Sequence, residues 1–453
     1  MFSRLCTFMG GTHIDSAKDL TADLPIETLP APDRAVLPLS MHIGAPAAPL
    51  VKPGDHVFLG QKIAEAQGNV SSNIHASVSG TVTGMEKRYL PNGMVSQCLV
   101  IKNDFLDTPD PSIKPRESGL TLPPEKIRQL LLEKGIVGMG GATFPTHIKY
   151  APQNSGRIID TIILNGIECE PYLTADYRLM LEHAPDIIRG LKYFMKASLA
   201  NKGIIAIEDN KPRAIELFRR LTEKEPDISV AVCAEKYPQG GERQLIYAVT
   251  GRVVPQRGLP SSVGVIVDNV ATACQAALAV KDDIPCYERI VTVSGNAVRS
   301  PGNFRVRLGT LYSHLVEEGA QGLKSEAARI ISGGPMMGFS LSSLDFPVTK
   351  GSGGLLVFNS LSPLGRMQPE QQCVRCGRCV DACPMFLEPT QIYKAAKRRE
   401  WSAALKFNIG SCIECGSCAY SCPAHIPLVQ YIRLGKQFIT SEGFGGHNPY
   451  YKK

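Results

Sequence analysis

The sequence contains no long apolar segment. Among its 453 residues, no uninterrupted run of apolar side chains reaches the roughly 18 positions that a membrane-spanning helix needs. The first residues, 1–6, lack the apolar stretch of a secretory signal peptide. These absences predict a chain that stays in the cytoplasm and does not itself enter the bilayer.

The sequence also lacks a strong excess of charge of one sign. It has 49 Lys and Arg against 42 Asp and Glu, a formal net charge of +7. A cluster of basic residues at 394–406 does not show the interleaved aromatic pattern of proteins that stack on nucleotide bases. We therefore expect no nucleic-acid partner. These basic residues form either a solvated helix face or a docking patch for an acidic partner or a lipid surface.

A disulfide framework is missing as well. Six of the 14 cysteines are scattered without a pairing pattern, as is usual in a reducing compartment. We interpret these six as mostly buried, inert thiols. They are Cys6, Cys98, Cys169, Cys233, Cys274 and Cys286.

The other eight cysteines form two blocks, at 373–384 and 412–423, with the same spacing C-x2-C-x2-C-x3-C-P. A [4Fe-4S] cluster takes three thiolates from such a run and a fourth from elsewhere. A tetrahedral zinc ion needs only four thiolates or imidazoles and does not require the final x3-C-P of the spacing. The spacing therefore predicts two [4Fe-4S] clusters that relay electrons. Zinc knuckles or disulfides are the alternative.

The ligands of the two clusters are expected to cross between the blocks. In two-cluster proteins of this type, the fourth cysteine of each block binds the cluster of the other block. One cluster is then expected on Cys373, Cys376, Cys379 and Cys422. Its neighbour is expected on Cys412, Cys415, Cys418 and Cys383. Helix-forming stretches between the blocks and after the second one predict a helix-rich, ferredoxin-like domain.

Residues 1–115 are rich in Pro, Gly and short β-branched runs, which predicts strands joined by turns. Segments 51–64 and 75–82 resemble a lipoyl or biotinyl carrier domain, which is a barrel-sandwich hybrid. The hairpin 68–72, where such a domain presents its modified lysine, contains no lysine. We therefore expect a docking element without carrier activity. Three histidines of this region match no metal-ligand spacing: His42, His56 and His75.

From residue 118 the pattern changes to alternating helices and apolar strands. A helix is predicted at 124–133, and the alternation indicates an α/β domain over 118–282. Ligands of such domains bind at the carboxyl ends of the strands. Its predicted strands are 161–164, 203–207 and 228–232.

Closely spaced glycines follow the first helix, at 138–141. Glycines let the backbone approach a bound group and turn its N–H groups inward, which predicts a phosphate cradle. A plain turn is the alternative, because the loop matches neither G-x-G-x-x-G nor the Walker pattern. Glu168, Glu170 and Glu242 follow strand ends near this loop and are candidate ligand-site residues.

Four stretches of this domain resemble the FMN- and NADH-binding domain of the flavoprotein subunit of respiratory complex I. With the barrel-sandwich before it and the cysteine blocks after it, the whole chain is similar to the C subunits of Rnf complexes. Cobalamin reductases of propanediol-utilisation compartments use similar modules in a different order. The four stretches are 138–149, 165–171, 241–242 and 269–272.

The resemblance implies an FMN site with NAD(H) as substrate, and no catalytic acid or base is invoked. Two positions depart from the complex I motif: Ile167 replaces an aspartate and Arg243 a second glutamate. These changes concern recognition of the nicotinamide. The implied cofactor-binding residues are Gly138, Gly140, Gly141, Ala142, Lys149, Asn165, Glu168, Glu170, Gly241, Glu242, Asn269 and Thr272.

Residues 286–345, with a predicted helix at 310–317, resemble the β-grasp domain of the SLBB type that follows the flavin domain in these families. Loop 332–338 is either a tight turn or an element that packs near the flavin. The predicted fold class is therefore multidomain α/β plus β. Its parts are a barrel-sandwich (1–115), an FMN/NADH-binding α/β domain (118–282), an SLBB-type β-grasp domain (286–345) and a helical two-cluster domain (360–453).

The function implied is that of a peripheral subunit on the cytoplasmic side of the cell membrane. It would pass electrons between NAD and, through partner subunits, ferredoxin, while other Rnf-type membrane subunits move the ion. Flavin would convert between hydride and single electrons, and the clusters would relay the latter. The alternatives are a soluble NADH-dependent diaphorase or cobalamin reductase, and a non-catalytic scaffold that bears clusters.

Overall fold

The computed structural model describes residues 5–151, 158–366 and 368–441. Their strands form four sheets, one with six strands, two with four and one with three. Among these residues, none of the helices combines the length and the hydropathy that crossing a bilayer requires. The combination of small antiparallel sheets, a parallel sheet and a helical C-terminal part is what the predicted fold class requires.

The N-terminal segment, 5–24, lies along the α/β part and not in the barrel. Cys6 forms a parallel bridge with Cys233, and Thr12 forms an antiparallel one with Tyr237. The next strand, β1 (Ile26–Thr28), joins the β-grasp sheet. The predicted range 1–115 includes these residues because pairing with distant strands leaves no local signal in the sequence.

The barrel-sandwich part occupies 34–103 and contains two small antiparallel sheets. Its strands are β2 (Arg34–Pro38), β3 (Ala48–Pro49), β4 (His56–Val57), β5 (Lys62–Glu65), β6 (Ile74–His75), β7 (Gly80–Tyr89) and β8 (Val95–Asn103). The sheets have the orders β2-β8-β7-β4 and β3-β5-β6. Inward-facing side chains such as Val57, Ile63, Ile74 and Leu99 are fully buried in one core.

The α/β part is built on a parallel four-stranded sheet. Its strands are β9 (Thr161–Gly166), β10 (Lys202–Glu208), β11 (Ile228–Cys233) and β12 (Val265–Asn269). The order is β11-β10-β9-β12, so the direction of strand addition reverses between β9 and β12. Such a reversal opens a crevice at the carboxyl ends of these two strands.

In the described residues of this part, seven α-helices accompany the sheet. They are α1 (Pro124–Glu133), α2 (Thr146–Lys149), α3 (Ala175–Glu182), α4 (Ala184–Ser198), α5 (Pro212–Leu221), α6 (Glu242–Thr250) and α7 (Val270–Lys281). The predicted helix at 124–133 is present with the predicted bounds. Its apolar face buries Ile127, Leu130 and Leu131, and a proline occupies the first turn.

The β-grasp part has a six-stranded mixed sheet with the order β1-β14-β13-β17-β15-β16. The strands after β1 are β13 (Glu288–Ser294), β14 (Gly302–Arg307), β15 (Arg329–Ser332), β16 (Phe339–Leu341) and β17 (Gly354–Phe358). The sheet thus extends beyond the predicted range 286–345 at both ends. The short helix α8 (Tyr312–His314) continues into a π-helical turn, Leu315–Gly319, where the helix at 310–317 is predicted.

The C-terminal part is helical, as predicted, and consists of two similar halves. Its helices are α9 (Arg378–Asp381), α10 (Pro389–Lys397), α11 (Trp401–Lys406), α12 (Ser417–Tyr420) and α13 (Leu428–Ser441). Arg375 and Glu414, at equivalent places in the two blocks, have left-handed φ angles of 57° and 58°. Gly377 and Gly416 follow with 77° and 84°. The repeated cysteine spacing therefore corresponds to a repeated backbone loop.

Lys350 connects three of these parts. It lies in the loop before β17, and its side chain is fully buried. Its Nζ donates to the carbonyls of Asn73 in the barrel and Gly135 in the α/β part, both at 2.7 Å. These hydrogen bonds fix the barrel against the other two parts.

Candidate functional site

The glycine-rich loop lies between α1 and α2 and is closed by backbone hydrogen bonds. Gly138 N donates to Phe144 O at 2.8 Å, and Thr143 N donates to Gly138 O at 3.1 Å. Val137 and Pro145 form an antiparallel bridge at the base of the loop. These bonds fix the loop without using the N–H groups at its tip.

The tip of the loop is shaped to receive a bound group. Gly141 has φ +105°, and a Cβ placed there would meet nothing within 4 Å, so the loop faces open space. A Cβ on Gly140 would lie 3.3 Å from Asn269 Cβ, so only glycine fits without displacement. The exposed N–H groups of Gly140, Gly141 and Ala142 donate to no described residue. Such consecutive free N–H groups bind anions.

Two side chains from other elements hold the loop from behind. Thr272 Oγ1, on α7, accepts from Met139 N at 2.9 Å. Arg289, a buried residue of β13, donates to Met139 O at 3.3 Å. The β-grasp part therefore supports the cradle directly. Arg289 was not among the predicted site residues, because an arginine at the start of a strand carries no signal of its partner.

Asn269 links the loop to α3. Its Oδ1 accepts from Ala271 N at 2.8 Å and so caps α7, and its Nδ2 donates to Asp176 Oδ2 at 2.6 Å. Asp176 N in turn donates to Glu168 Oε1 at 2.7 Å, at the start of α3. The structure thus places predicted Asn269 and Glu168 on one connected network, through an aspartate that sequence reasoning missed.

Glu168 is held by a lysine from the N-terminal segment. Lys18 is 9% exposed, and its Nζ lies 4.0 Å from Glu168 Oε2. The same Nζ donates to the carbonyl of Glu170 at 3.0 Å and to that of Leu173. Burial raises the pKa of Glu168 to about 7, against the opposing charge of Lys18.

Glu170 faces the β-grasp part. Its carboxylate accepts from Met336 N at 3.1 Å and from Met337 N at 2.9 Å. Tyr237 Oη lies 3.4 Å from Glu170 Oε1. Burial raises the pKa of Glu170 to about 7, and the two N–H groups oppose this rise. Loop 332–338 is therefore packed against a predicted site residue and is more than a tight turn.

The other predicted residues lie along the same strand ends. Lys149 Nζ contacts Asp268 Oδ1 at 3.4 Å. Burial acts to lower the pKa of Lys149, but the carboxylates of Asp268 and Glu242 raise it above its usual value. Asn165 Nδ2, at the end of β9, donates to Gly240 O at 2.8 Å. Gly241 precedes α6, whose first residue, Glu242, has an exposed side chain.

These donors fit a flavin nucleotide. The free N–H groups of the loop suit a phosphate, and the neighbouring lysine and amides suit the polar edge of a flavin ring. Most of the predicted side chains also have structural hydrogen-bond partners of their own. Pre-formed partners of this kind hold a binding site in place before its ligand arrives.

The cysteines of the second block approach the last cysteine of the first. Burial raises the pKa of the Cys418 thiol, and the nearby thiols of Cys412, Cys415 and Cys383 raise it further. Burial likewise raises the pKa of the Cys415 thiol, and the Cys383 thiol adds to this rise.

The first block shows the same crossing in the other direction. The pKa of Cys379 is raised by burial and then by the thiols of Cys422 and Cys376. Cys373 is exposed, and no thiol neighbour of it is established by the structure. The thiols that affect one another's pKa are therefore Cys376, Cys379 and Cys422 in one set, and Cys383, Cys412, Cys415 and Cys418 in the other.

The described residues contain neither a disulfide nor a tetrahedral set of thiols. All 14 cysteines, which lie within the described residues, are free thiols. A tetrahedral zinc site with about 2.3 Å bonds would bring its sulfur atoms to about 3.8 Å from one another. Within the described chain, the one trio of ligand-type side chains that meets within 4.8 Å is His183, Asp186 and Cys274.

Within this trio, His183 and Asp186 pair with each other, and the Cys274 thiol lies beside them. His183 Nε2 lies 3.0 Å from a nitrogen of Arg305. Because the guanidinium can only donate, Nε2 accepts this hydrogen bond, and the ring proton is on Nδ1, which faces Asp186. Arg189 also contacts Asp186, at 2.6 Å. Two guanidinium groups around the trio disfavour a cation.

Four family models match consecutive parts of the chain. They are described as RnfC barrel sandwich hybrid domain (6–106), Nuo51 FMN-binding domain (131–278), SLBB domain (290–340) and 4Fe-4S dicluster domain (367–423). The predicted fold class is confirmed. The predicted cofactors are confirmed at the level of domains, since the chain carries an FMN-binding domain and a 4Fe-4S dicluster domain.

Curated relatives match nearly the whole chain. The C subunit of the Na(+)-translocating ferredoxin:NAD(+) oxidoreductase complex of Acetobacterium woodii is 43% identical over 436 residues, which cover 96% of this chain and 98% of the relative. The C subunit of the proton-translocating ferredoxin:NAD(+) oxidoreductase complex of Clostridium ljungdahlii is 44% identical over 390 residues, which cover 86% of this chain and 84% of the relative.

Solved structures give a weaker likeness. An NAD+-reducing [NiFe]-hydrogenase in its H2-reduced state is 18% identical with a TM-score of 0.48, covering 72% of this chain and 63% of that chain. The same kind of hydrogenase in its air-oxidized state is 18% identical with a TM-score of 0.49, covering 72% of this chain and 64% of that chain. The match thus spans less than two thirds of the hydrogenase chain.

Proposed function

This chain belongs to the family of C subunits (RnfC) of ferredoxin:NAD(+) oxidoreductase complexes, and we propose that it exchanges hydride with NAD(H) and relays single electrons through two [4Fe-4S] clusters. Its FMN-binding and 4Fe-4S dicluster domains make it an electron-transfer subunit. The observation that carries the proposal is the contact between these domains. Tyr237 beside the flavin site donates to the carbonyl of Cys415 at 2.6 Å.

Bound FMN supplies the conversion between two-electron hydride transfer and single-electron transfer. The N–H groups of Gly140, Gly141 and Ala142 would hold the phosphate. Glu168 and Glu170 would border the ring, fixed by their own partners. The full proposed set is Gly138, Gly140, Gly141, Ala142, Lys149, Asn165, Glu168, Glu170, Gly241, Glu242, Asn269 and Thr272.

The clusters would be ligated across the two blocks. The thiol neighbours of Cys379 and of Cys418 support this crossing. The proposed ligands of the first cluster are Cys373, Cys376, Cys379 and Cys422. Those of the second are Cys412, Cys415, Cys418 and Cys383.

Exposure suggests the order of the relay. Cys383, Cys415 and Cys418 are buried, whereas Cys373 and Cys376 are exposed. We therefore place the second cluster next to the flavin and the first cluster at the surface. Electrons would enter or leave the chain through this exposed cluster.

The setting of the protein is also a proposal. We place it on the cytoplasmic side of the cell membrane, held there by other subunits that move the ion and exchange electrons with ferredoxin. Family membership supports an assembly with other subunits. We further propose that the chain divides into domains at 34–115, 118–282, 286–358 and 360–453, with 5–28 as a connecting segment.

The test is NADH-dependent reduction of the clusters in anaerobically purified chain. We predict that NADH bleaches the cluster absorbance, because hydride arrives at the flavin and single electrons move on. The matched control is Gly141→Ala, whose clusters should respond to dithionite but not to NADH. Wild-type chain with bound flavin and clusters that NADH leaves oxidised would contradict the proposal.

A further inference from the structure

The cluster domain touches the rest of the chain through one face. Gly11 N donates to Ala382 O at 3.1 Å, and Gln244 Nε2 donates to Pro384 O at 3.2 Å. Among the described residues, none of these inter-domain hydrogen bonds reaches 373–379. These hydrogen bonds therefore lie next to Cys383 and Cys415 of the proposed second cluster, and the loop 373–379 of the first block receives none of them.

Tyr237 belongs to this face. Its side chain is 2% exposed, and its Oη donates to Cys415 O at 2.6 Å. Its backbone N–H and carbonyl are both bonded to Thr12, because Tyr237 N donates to Thr12 O and Thr12 N donates to Tyr237 O, each at 2.8 Å. The hydroxyl therefore sits at a fixed place and can act as a rigid spacer.

A second contact runs parallel to the tyrosine. Glu170 holds Met336 N and Met337 N, as described above, and Met337 O accepts from Arg433 of α13 at 2.9 Å. A Cβ on Gly416, with φ +84°, would lie 2.7 Å from Met336 O. Glycine is thus needed next to Cys415 for the loop to pack this closely.

We propose that Tyr237 is a positioning residue, whose hydroxyl fixes Cys415 and the second cluster against the Glu170 side of the flavin site. The inference rests on the proposed function, because it concerns the step between flavin and clusters. Tunnelling partners must be held at a constant separation, and a neutral hydroxyl does so without adding charge. Removal of the hydroxyl leaves a buried carbonyl without its donor, which favours local opening of the contact.

The experiment compares Tyr237→Phe with Tyr420→Phe in the holoprotein. Tyr420 lies in the same block, but it is 54% exposed and its hydroxyl has no hydrogen bond in the described part of the chain. Hydrogen–deuterium exchange of a peptide covering 411–418 should be roughly 5- to 30-fold faster in Tyr237→Phe, the factor expected for one lost buried hydrogen bond. Tyr420→Phe should match the wild type.

A second readout separates positioning from general stability. In Tyr237→Phe, the rate of flavin reduction by NADH and the iron content should stay at wild-type values, while cluster bleaching slows by a similar factor. Should this variant fail to fold, Arg433→Gln is the second test. It removes the donor to Met337 O on the same face and the ion pair with Glu414, so it should speed exchange in the same peptide.

The outcomes distinguish this inference from the function on which it rests. Wild-type chain whose clusters NADH cannot reduce would defeat the proposed function, whatever the variants do. If the wild type relays electrons and Tyr237→Phe equals it in both exchange and bleaching, the positioning role is wrong. Unchanged exchange in Arg433→Gln would count against it in the same way.

Discussion

Lys350 shows how a single residue can join separate parts of the chain. Its ammonium group is fully buried, and its two described acceptors are backbone carbonyls of two other parts. Burial lowers its pKa from 10.5 to about 8. The folded protein therefore holds this proton less tightly than the unfolded chain does.

The sign of the resulting pH dependence follows from linkage. Between pH 8 and 10.5 the unfolded chain binds a proton that the folded protein has lost, so the contribution of Lys350 to stability rises with pH. The free energy of unfolding of the wild type, relative to Lys350→Met, should rise by on the order of 3 kcal/mol over this range. Chemical unfolding of both proteins at pH 7.5 and pH 10 measures it.

The control for this comparison is Lys52→Met, at an exposed position of the barrel. Its stability relative to the wild type should stay within about 0.5 kcal/mol. A Lys350→Met difference that does not change with pH would mean that the ammonium is not titrating in a buried site.

At the scale of elements, the glycine loop makes a local prediction. Alanine at Gly141 would place a Cβ in the open cradle at φ +105°, where the phosphate is proposed to bind. The affinity of Gly141→Ala for FMN should therefore fall by about tenfold or more, because anion binding needs close approach of the backbone. Acid-released flavin fluorescence per chain measures this.

A matched control separates strain from site geometry. Gly251, after α6, also has a left-handed φ of +71° with nothing within 4 Å of a Cβ. Gly251→Ala should pay a similar backbone cost of about 1 kcal/mol and keep its FMN. Equal flavin loss in both variants would show that strain, and not the cradle, governs binding.

The two cysteine blocks are equivalent in backbone but differ in surroundings, and their crossing can be tested by counting iron. Cys383→Ser and Cys412→Ser should each remove the second cluster, so their combination should lose no more iron than either alone. Cys383→Ser combined with Cys373→Ser should remove both clusters, because these residues belong to different crossed sets. Iron and sulfide analysis of anaerobic preparations measures this.

The uncrossed arrangement gives the reverse pattern. There, Cys373 and Cys383 would share one cluster, and their double variant would retain about half of the iron. That result would overturn the ligand assignment while leaving the number of clusters intact.

At the scale of the whole molecule, the sequence predicted what local patterns encode. The cysteine spacing, the apolar period of α1 and the β-branched runs of β9 and β10 each report on residues that are close in sequence. Together with resemblance, they were enough for the fold class and the kinds of cofactor domain.

The contacts between parts were beyond local patterns. Lys18 reaches carbonyls more than 150 positions away, and β1 pairs with β14 far along the chain. Arg289 and Tyr237 likewise form hydrogen bonds with other domains, and neither lies in a sequence motif that indicates its partner. Such pairings are selected by burial in the folded protein, so only the structure reveals them.

The central claim is that one chain joins a flavin site to two [4Fe-4S] clusters. The most direct test is analysis of FMN, iron and acid-labile sulfide in protein purified without oxygen. The account predicts about one FMN, eight iron and eight sulfide per chain. Zinc without sulfide, or iron without flavin, would contradict it.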